Sequence, residues 1–179
     1  MKITDIEIRM CKHAQPLMKD TEMRDGKKSD LEFLVITFKT DIGLSSSTFG
    51  FAGRGAKMAG EIAESIFKPF FLGRDPFYRE KHWHEYRMAD RWWNHAPIYS
   101  YGPFDINCWL LCSLKAEQPL YKYIGAYRDK VPIYGSSLVL NTPAAYAEEA
   151  VEYKKRGFNA YKIHPPGNYD IDLEIHKKV

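Results

Sequence analysis

Apolar and polar positions follow three successive rhythms along the chain. Ile3, Ile6 and Ile8 punctuate a polar opening and predict a short strand. Leu31 to Lys39 (Leu-Glu-Phe-Leu-Val-Ile-Thr-Phe-Lys) is β-branched and aromatic and predicts a longer strand, ended by Asp41-Ile42-Gly43. These two are expected to pair in one antiparallel sheet. Residues 13 to 30 between them are charged and contain Asp25-Gly26, which predicts a solvated loop longer than a hairpin turn. Beyond a small-residue segment from Ser45 to Gly55 the period lengthens. Met58, Ile62 and Ile66 recur at four-residue spacing, Pro69 follows, and Gly73-Arg74-Asp75-Pro76 breaks the helix. A second helix is predicted over Tyr78 to Trp93, and a third over Phe104 to Ala116 with Ile106, Trp109, Leu110 and Leu114 along one face.

The third rhythm starts near residue 130. Val131-Pro132-Ile133-Tyr134-Gly135 predicts a short strand, and Thr142-Pro143 supplies an N-cap and a first-turn proline for a helix. Tyr146, Ala147, Ala150 and Val151 form its apolar stripe, Lys154-Lys155-Arg156 suits the negative end of its dipole, and Gly157 ends it. Ala160-Tyr161-Lys162-Ile163-His164 is the next predicted strand. Residues 131 to 164 are thus a strand-helix-strand unit of the length that parallel pairing requires. The two-residue period sends Lys162 and His164 out of one face and Tyr161 and Ile163 out of the other. A lysine and a histidine side by side on a polar strand face are a candidate base pair; the competing assignment is a solvated edge strand.

Composition narrows the function classes. With 179 residues, 45% of them hydrophobic, the chain can bury a core of its own. Its 26 basic and 23 acidic residues are evenly spread, which argues against a nucleic-acid or membrane-surface partner. Cys11, Cys108 and Cys112 have no disulfide-type spacing and are expected to be buried thiols. The N-terminus alternates like a strand and has no signal-type apolar run, so a cytoplasmic location is expected. His82 and His84, two apart on a helix, do not face one another and are poor metal ligands. Trp83, Trp92 and Trp93 are assigned to core packing rather than to ligand stacking.

The order and spacing of several short motifs resemble the enolase superfamily, and within it the mandelate racemase and muconate-lactonizing group. The motifs are Thr40-Asp41-Ile42-Gly43-Leu44, Leu72-Gly73-Arg74-Asp75-Pro76, Asp105-Ile106 with Trp109, and Gln118-Pro119-Leu120-Tyr121. They continue through Arg128-Asp129-Lys130-Val131-Pro132-Ile133-Tyr134 and Lys155-Arg156-Gly157-Phe158 into Lys162-Ile163-His164. The resemblance implies an α+β N-terminal capping domain over residues 1 to 126, an antiparallel sheet plus a helical bundle. Residues 127 to 179 would then be the first strands of a (β/α) TIM-like barrel that this chain leaves incomplete.

Enzymes of this superfamily remove a proton next to a carboxylate with a Lys or His base, and Mg²⁺ holds the enediolate. By similarity Lys162 would lie against the substrate carboxylate and His164 at the position of the abstracting base, where the common pattern has a second lysine. The Mg²⁺ ligands would come from later strands, so no metal ligand is assigned here. Two capping-domain loops of the family match residues 13 to 30 and 47 to 55, which makes Arg24 and Arg54 candidate substrate-binding residues, with Lys27 and Lys28 nearby. Cationic, hydroxyl-rich loops favour a small anionic substrate, a sugar acid, and hence a dehydratase. A racemase or epimerase is the alternative, and a non-catalytic association module a second one. The expected partners are the remaining barrel segment or a C-terminal chain and further copies in a homo-oligomer, because unpaired barrel strands expose edges.

Overall fold

In the computed structural model the described residues are 1–13, 31–53, 55–94 and 96–179, so the predicted 13 to 30 loop lies almost wholly outside them. They fall into two compact units, one ending at Tyr127 and the other running Arg128–Val179. No helix is long and apolar enough to cross a membrane among the described residues.

The first unit is built on the predicted strands, β1 (Ile3–His13) and β2 (Leu31–Thr40), paired antiparallel with Ile8 opposite Ile36. A third strand, β3 (Ser45–Gly53), joins the other edge of β2 and gives the order β1-β2-β3. Its Ser-Ser-Ser-Thr sequence conceals it from hydropathy. What makes it a strand is the register with β2 and the bonds its hydroxyls send onward. Period-two alternation buries Leu34, Ile36 and Phe38 of β2 on one face.

Helices cover that face. One continuous run comprises α1 (Ala56–Ile62), a π-helical turn (Ala63–Phe67) and α2 (Lys68–Phe71). The Arg79–Ala89 helix is α3, which continues as a π-helical turn (Asp90–Asn94), and α4 is Gly102–Lys115. A short α5 (Leu120–Tyr123) follows. All three predicted helices are present, and on the first and third the fully buried row is not the predicted one. On the first, Ala56, Ala63, Phe67 and Phe71 face inward, Ile62 and Ile66 pack on the core at partial burial as expected, and Met58 is 64% exposed. On α4 the inward row is Phe104, Asn107, Cys108, Leu111 and Cys112, at helical spacing, whereas Ile106 and Leu114 are exposed. Hydropathy skipped this row because Asn107 and the cysteines belong to it.

The core is aromatic: Phe71 stacks on Phe104 at 5.5 Å and Tyr86 on Tyr101 at 4.7 Å, with Phe38 and Phe67 between the sheet and these rings. Cys108 and Cys112 are free and buried as expected, but Cys11 is only partly buried. Burial raises both buried thiols above the usual range, so they are inert neutral packing groups. The core assignment of the tryptophans fails: Trp92 and Trp93 project outward from the π-helical turn, and Trp83, 39% exposed, meets the core only through an edge contact with Tyr101.

Asn107 clamps α4 to the sheet. Its fully buried Nδ2 donates to Ile36 O at 3.1 Å, Thr48 Oγ1 at 3.0 Å and Pro103 O at 3.1 Å, and its Oδ1 accepts from Ser46 Oγ at 2.8 Å. His82 is another buried polar group. Its Nε2 donates to Asp75 O at 2.8 Å, and its Nδ1 faces the Arg74 guanidinium at 3.4 Å. Those partners suit a neutral ring.

The second unit is the predicted strand-helix-strand, with β4 (Gly135–Ser136) and β5 (Tyr161–Lys162) paired in parallel, and α6 (Pro143–Lys155) between them. A further helix, α7 (Tyr169–Lys178), packs on α6. Thr142 caps α6 by accepting from Ala145 N at 3.2 Å, and Gly157 takes φ +88 just after it, as its sequence requires. The first strand lies later than predicted: Val131 and Ile133 are about 70% exposed, and the ladder begins where Gly135 N reaches Ala160 O at 3.0 Å. Pro132, without an N–H, could not have served it. Gly135 is required sterically, since a Cβ there would lie 2.5 Å from the Tyr153 ring.

Two outcomes test the first unit. Asn107→Ala strands several buried partners at once and is expected to lower unfolding stability by about 2–4 kcal/mol in a urea titration. Burial, aided by the Arg74 charge, holds the His82 pKa below its ordinary 6.5. The unfolded chain therefore takes up that proton first as pH falls, and stability present above pH 6.5 is lost below it. Denaturation midpoints measured across that range should decline in the parent and flatten in His82→Gln.

Candidate active site

Lys162 ends β5 and His164 follows it, and both are exposed, while Tyr161 and Ile163 are partly buried. Tyr161 is committed to the helical side, where its OH donates to Glu149 Oε2 on α6 at 2.6 Å. Burial first, and then this carboxylate, raises the Tyr161 pKa and keeps the phenol protonated. The Lys162 ammonium has no hydrogen-bond or ion-pair partner among the described residues.

Parallel pairing continues past the two-residue strands. Ser137 N donates to Lys162 O at 2.9 Å, and His164 N donates to Ser137 Oγ at 2.8 Å. The imidazole then turns back onto the same residue, with Nδ1 2.6 Å from Ser137 O. A carbonyl can only accept, so Nδ1 carries a proton, and in the neutral ring Nε2 holds the lone pair. A base whose inner nitrogen is held by an acceptor and whose outer nitrogen is open is the arrangement that general-base catalysis needs.

Tyr146 fixes the rest of this exit. Fully buried on α6, its OH donates to His164 O at 2.9 Å and accepts from Leu140 N at 2.8 Å, tying together the segments that leave both strands. Ser137 and Tyr146 are the residues that sequence reasoning missed as site components. The signal for Ser137 was alternation through Gly135-Ser136-Ser137, hidden because the predicted strand stopped at Gly135. Tyr146 was placed in an apolar stripe, where its ring belongs, but hydropathy says nothing of its hydroxyl. Arg24, Lys27, Lys28 and Arg54 lie outside the described residues. Among the described residues, no group of three or more His, Cys, Asp or Glu could hold a metal ion, so the chain's described donors do not fit a Mg²⁺ site.

Tyr146→Phe keeps the ring and removes both bonds. The expected outcome is a loss of about 1–3 kcal/mol in the second unit, with faster hydrogen exchange at the Leu140 amide than at the α6 amides.

No protein-family model matches the chain. It is similar to a hydrophobic dipeptide epimerase of Enterococcus faecalis, 29% identical over 97% of this chain and 48% of that protein. An N-succinyl-L-Arg/Lys racemase of Bacillus cereus is 27% identical over 97% of this chain and 47% of that protein. Among solved structures, the D-glucarate dehydratase of Agrobacterium tumefaciens, complexed with magnesium, superposes with a TM-score of 0.83 at 26% identity, over 100% of this chain and 50% of that one. The chain spans about half the length of the curated relatives it matches. Over nearly its whole length, in sequence and in fold, the chain is similar to the N-terminal half of enolase-superfamily enzymes of the mandelate racemase and muconate-lactonizing group.

Proposed function

We propose that this chain is the N-terminal portion of an enzyme that abstracts the proton α to a carboxylate, with His164 Nε2 as the base and Lys162 as the cation against the substrate carboxylate. The observation that carries this reading is the Nδ1–H to Ser137 carbonyl bond, with neither Nε2 of His164 nor the Lys162 ammonium partnered among the described residues. The α-proton passes to Nε2, and the electron pair it leaves behind spreads onto the carboxylate as an enediolate. Lys162 meets part of that charge directly. The imidazolium is held by the Ser137 carbonyl until the proton is returned or delivered to a leaving group. Mg²⁺, where bound, would supply Lewis-acid stabilisation of the enediolate, from ligands in the part of the whole protein that this chain does not span.

The substrate we favour is a sugar acid and the outcome dehydration: the enediolate expels the β-hydroxyl, which leaves as water once protonated. The likeness to D-glucarate dehydratase supports this. The second reading is epimerisation, in which a proton returns to the opposite face of the same carbon, supported by the dipeptide epimerase and the racemase. Arg24 and Arg54 remain the proposed substrate-binding cations in either case.

The test uses the whole protein that contains this chain, supplied with Mg²⁺ in D₂O and offered sugar acids and dipeptides. Deuterium entering C3 of a 2-keto-3-deoxy product identifies a dehydratase, and deuterium entering Cα with inversion identifies an epimerase. His164→Gln should slow Cα exchange by about 10²–10⁴-fold. Neither turnover nor exchange on any carboxylate substrate, or turnover and exchange both untouched by His164→Gln, would sink the assignment.

A further inference from the structure

The sheet of the first unit has two edges, β1 and β3, while α4 packs on its buried face, where Ser46 Oγ and Thr48 Oγ1 bond to Asn107 and Pro103. On β1, only the first residue is covered: Ile3 N donates to Arg74 O at 2.9 Å, and Ile3 O accepts from Gly73 N at 2.8 Å. From Asp5 to Cys11 no strand pairs with the outer edge among the described residues. Met10 is 61% exposed there.

Which backbone groups face outward follows from the ladder. Thr40 N donates toward Leu44 O, on the β3 side, so alternate residues Phe38, Ile36 and Leu34 also direct their N–H and C=O toward β3. Their partners on β1 are Ile6, Ile8 and Met10. Those three residues therefore turn N–H and C=O to the outer edge. Glu7 and Arg9 alternate with them on the strand, both exposed, their side chains 3.2 Å apart.

We propose that β1 is a self-pairing edge: two copies of this chain join antiparallel about a two-fold axis at Ile8, extending two three-stranded sheets into one of six. In that register Ile6 lies opposite Met10 of the other copy and Ile8 opposite Ile8, so outward-facing backbone groups meet. Glu7 then faces Arg9 in both directions and the two pairs become a ring of four alternating charges. Charge selects this register from its neighbours. A shift of two residues sets Glu7 against Glu7 or Arg9 against Arg9, and like charges directly opposite are destabilising. The partner is thus a second copy of this chain, recognised by backbone pairing and by a self-complementary acid-base pattern.

Sedimentation velocity of the 179-residue protein and of two charge reversals tests this. The parent should dimerise. Glu7→Arg and Arg9→Glu each set like charges opposite one another and should weaken the dimer about tenfold, with circular dichroism unchanged. An equimolar mixture of the two variants restores opposite charges at both pairs and should recover the heterodimer. A parent that stays monomeric, a dimer indifferent to both reversals, or a mixture that fails to recover would each overturn the proposal; the indifferent dimer would assign association to another surface.

Discussion

Two consecutive residues of parallel ladder are too few to hold a strand pair, and in the second unit side-chain hydrogen bonds take over where the ladder ends. Ser137 is the centre of that arrangement. It is buried, its amide extends the ladder to Lys162, its hydroxyl takes the His164 amide, and its carbonyl takes the His164 ring. Tyr146 closes the circuit from α6 by holding the carbonyl of His164 and the amide of Leu140. Helix position, strand exit and imidazole orientation are therefore one linked set of bonds, and the proposed chemistry at His164 depends on all of them.

The first unit uses the same device at larger scale. A sheet face of Leu34, Ile36 and Phe38 packs on aromatic helices without directional preference, and a purely apolar contact would let α4 slide. Asn107 removes that freedom by engaging β2, β3 and its own helix through one amide. Each unit thus couples a non-directional apolar contact to one buried polar group that fixes register.

Much of this was legible in the sequence, and the failures have definite causes. Strands β1 and β2, all three helical runs and the strand-helix-strand unit follow from periodicity and caps, because Thr142, Gly157 and the isoleucines each obey a local rule. Strand β3 escaped because serine and threonine carry its face. The buried rows of the helices were misplaced by one position because Asn107, Ala63 and the cysteines are buried for bonding and volume rather than hydropathy. Lys162 and His164 stood out by alternation and family pattern. Ser137 and Tyr146 did not, since a serine carbonyl and a tyrosine hydroxyl acquire meaning only once residues 27 and 18 positions apart are brought together.

The group that seats the His164 ring is a main-chain oxygen. Side-chain seats drift with mutation, whereas a carbonyl is supplied by any residue at position 137. The orienting acceptor is thereby insulated from substitution, and the identity of the basic side chain two residues past β5's Lys162 is free to vary over evolutionary time. A lineage could exchange lysine for histidine at that place, or the reverse, without rebuilding the floor beneath it.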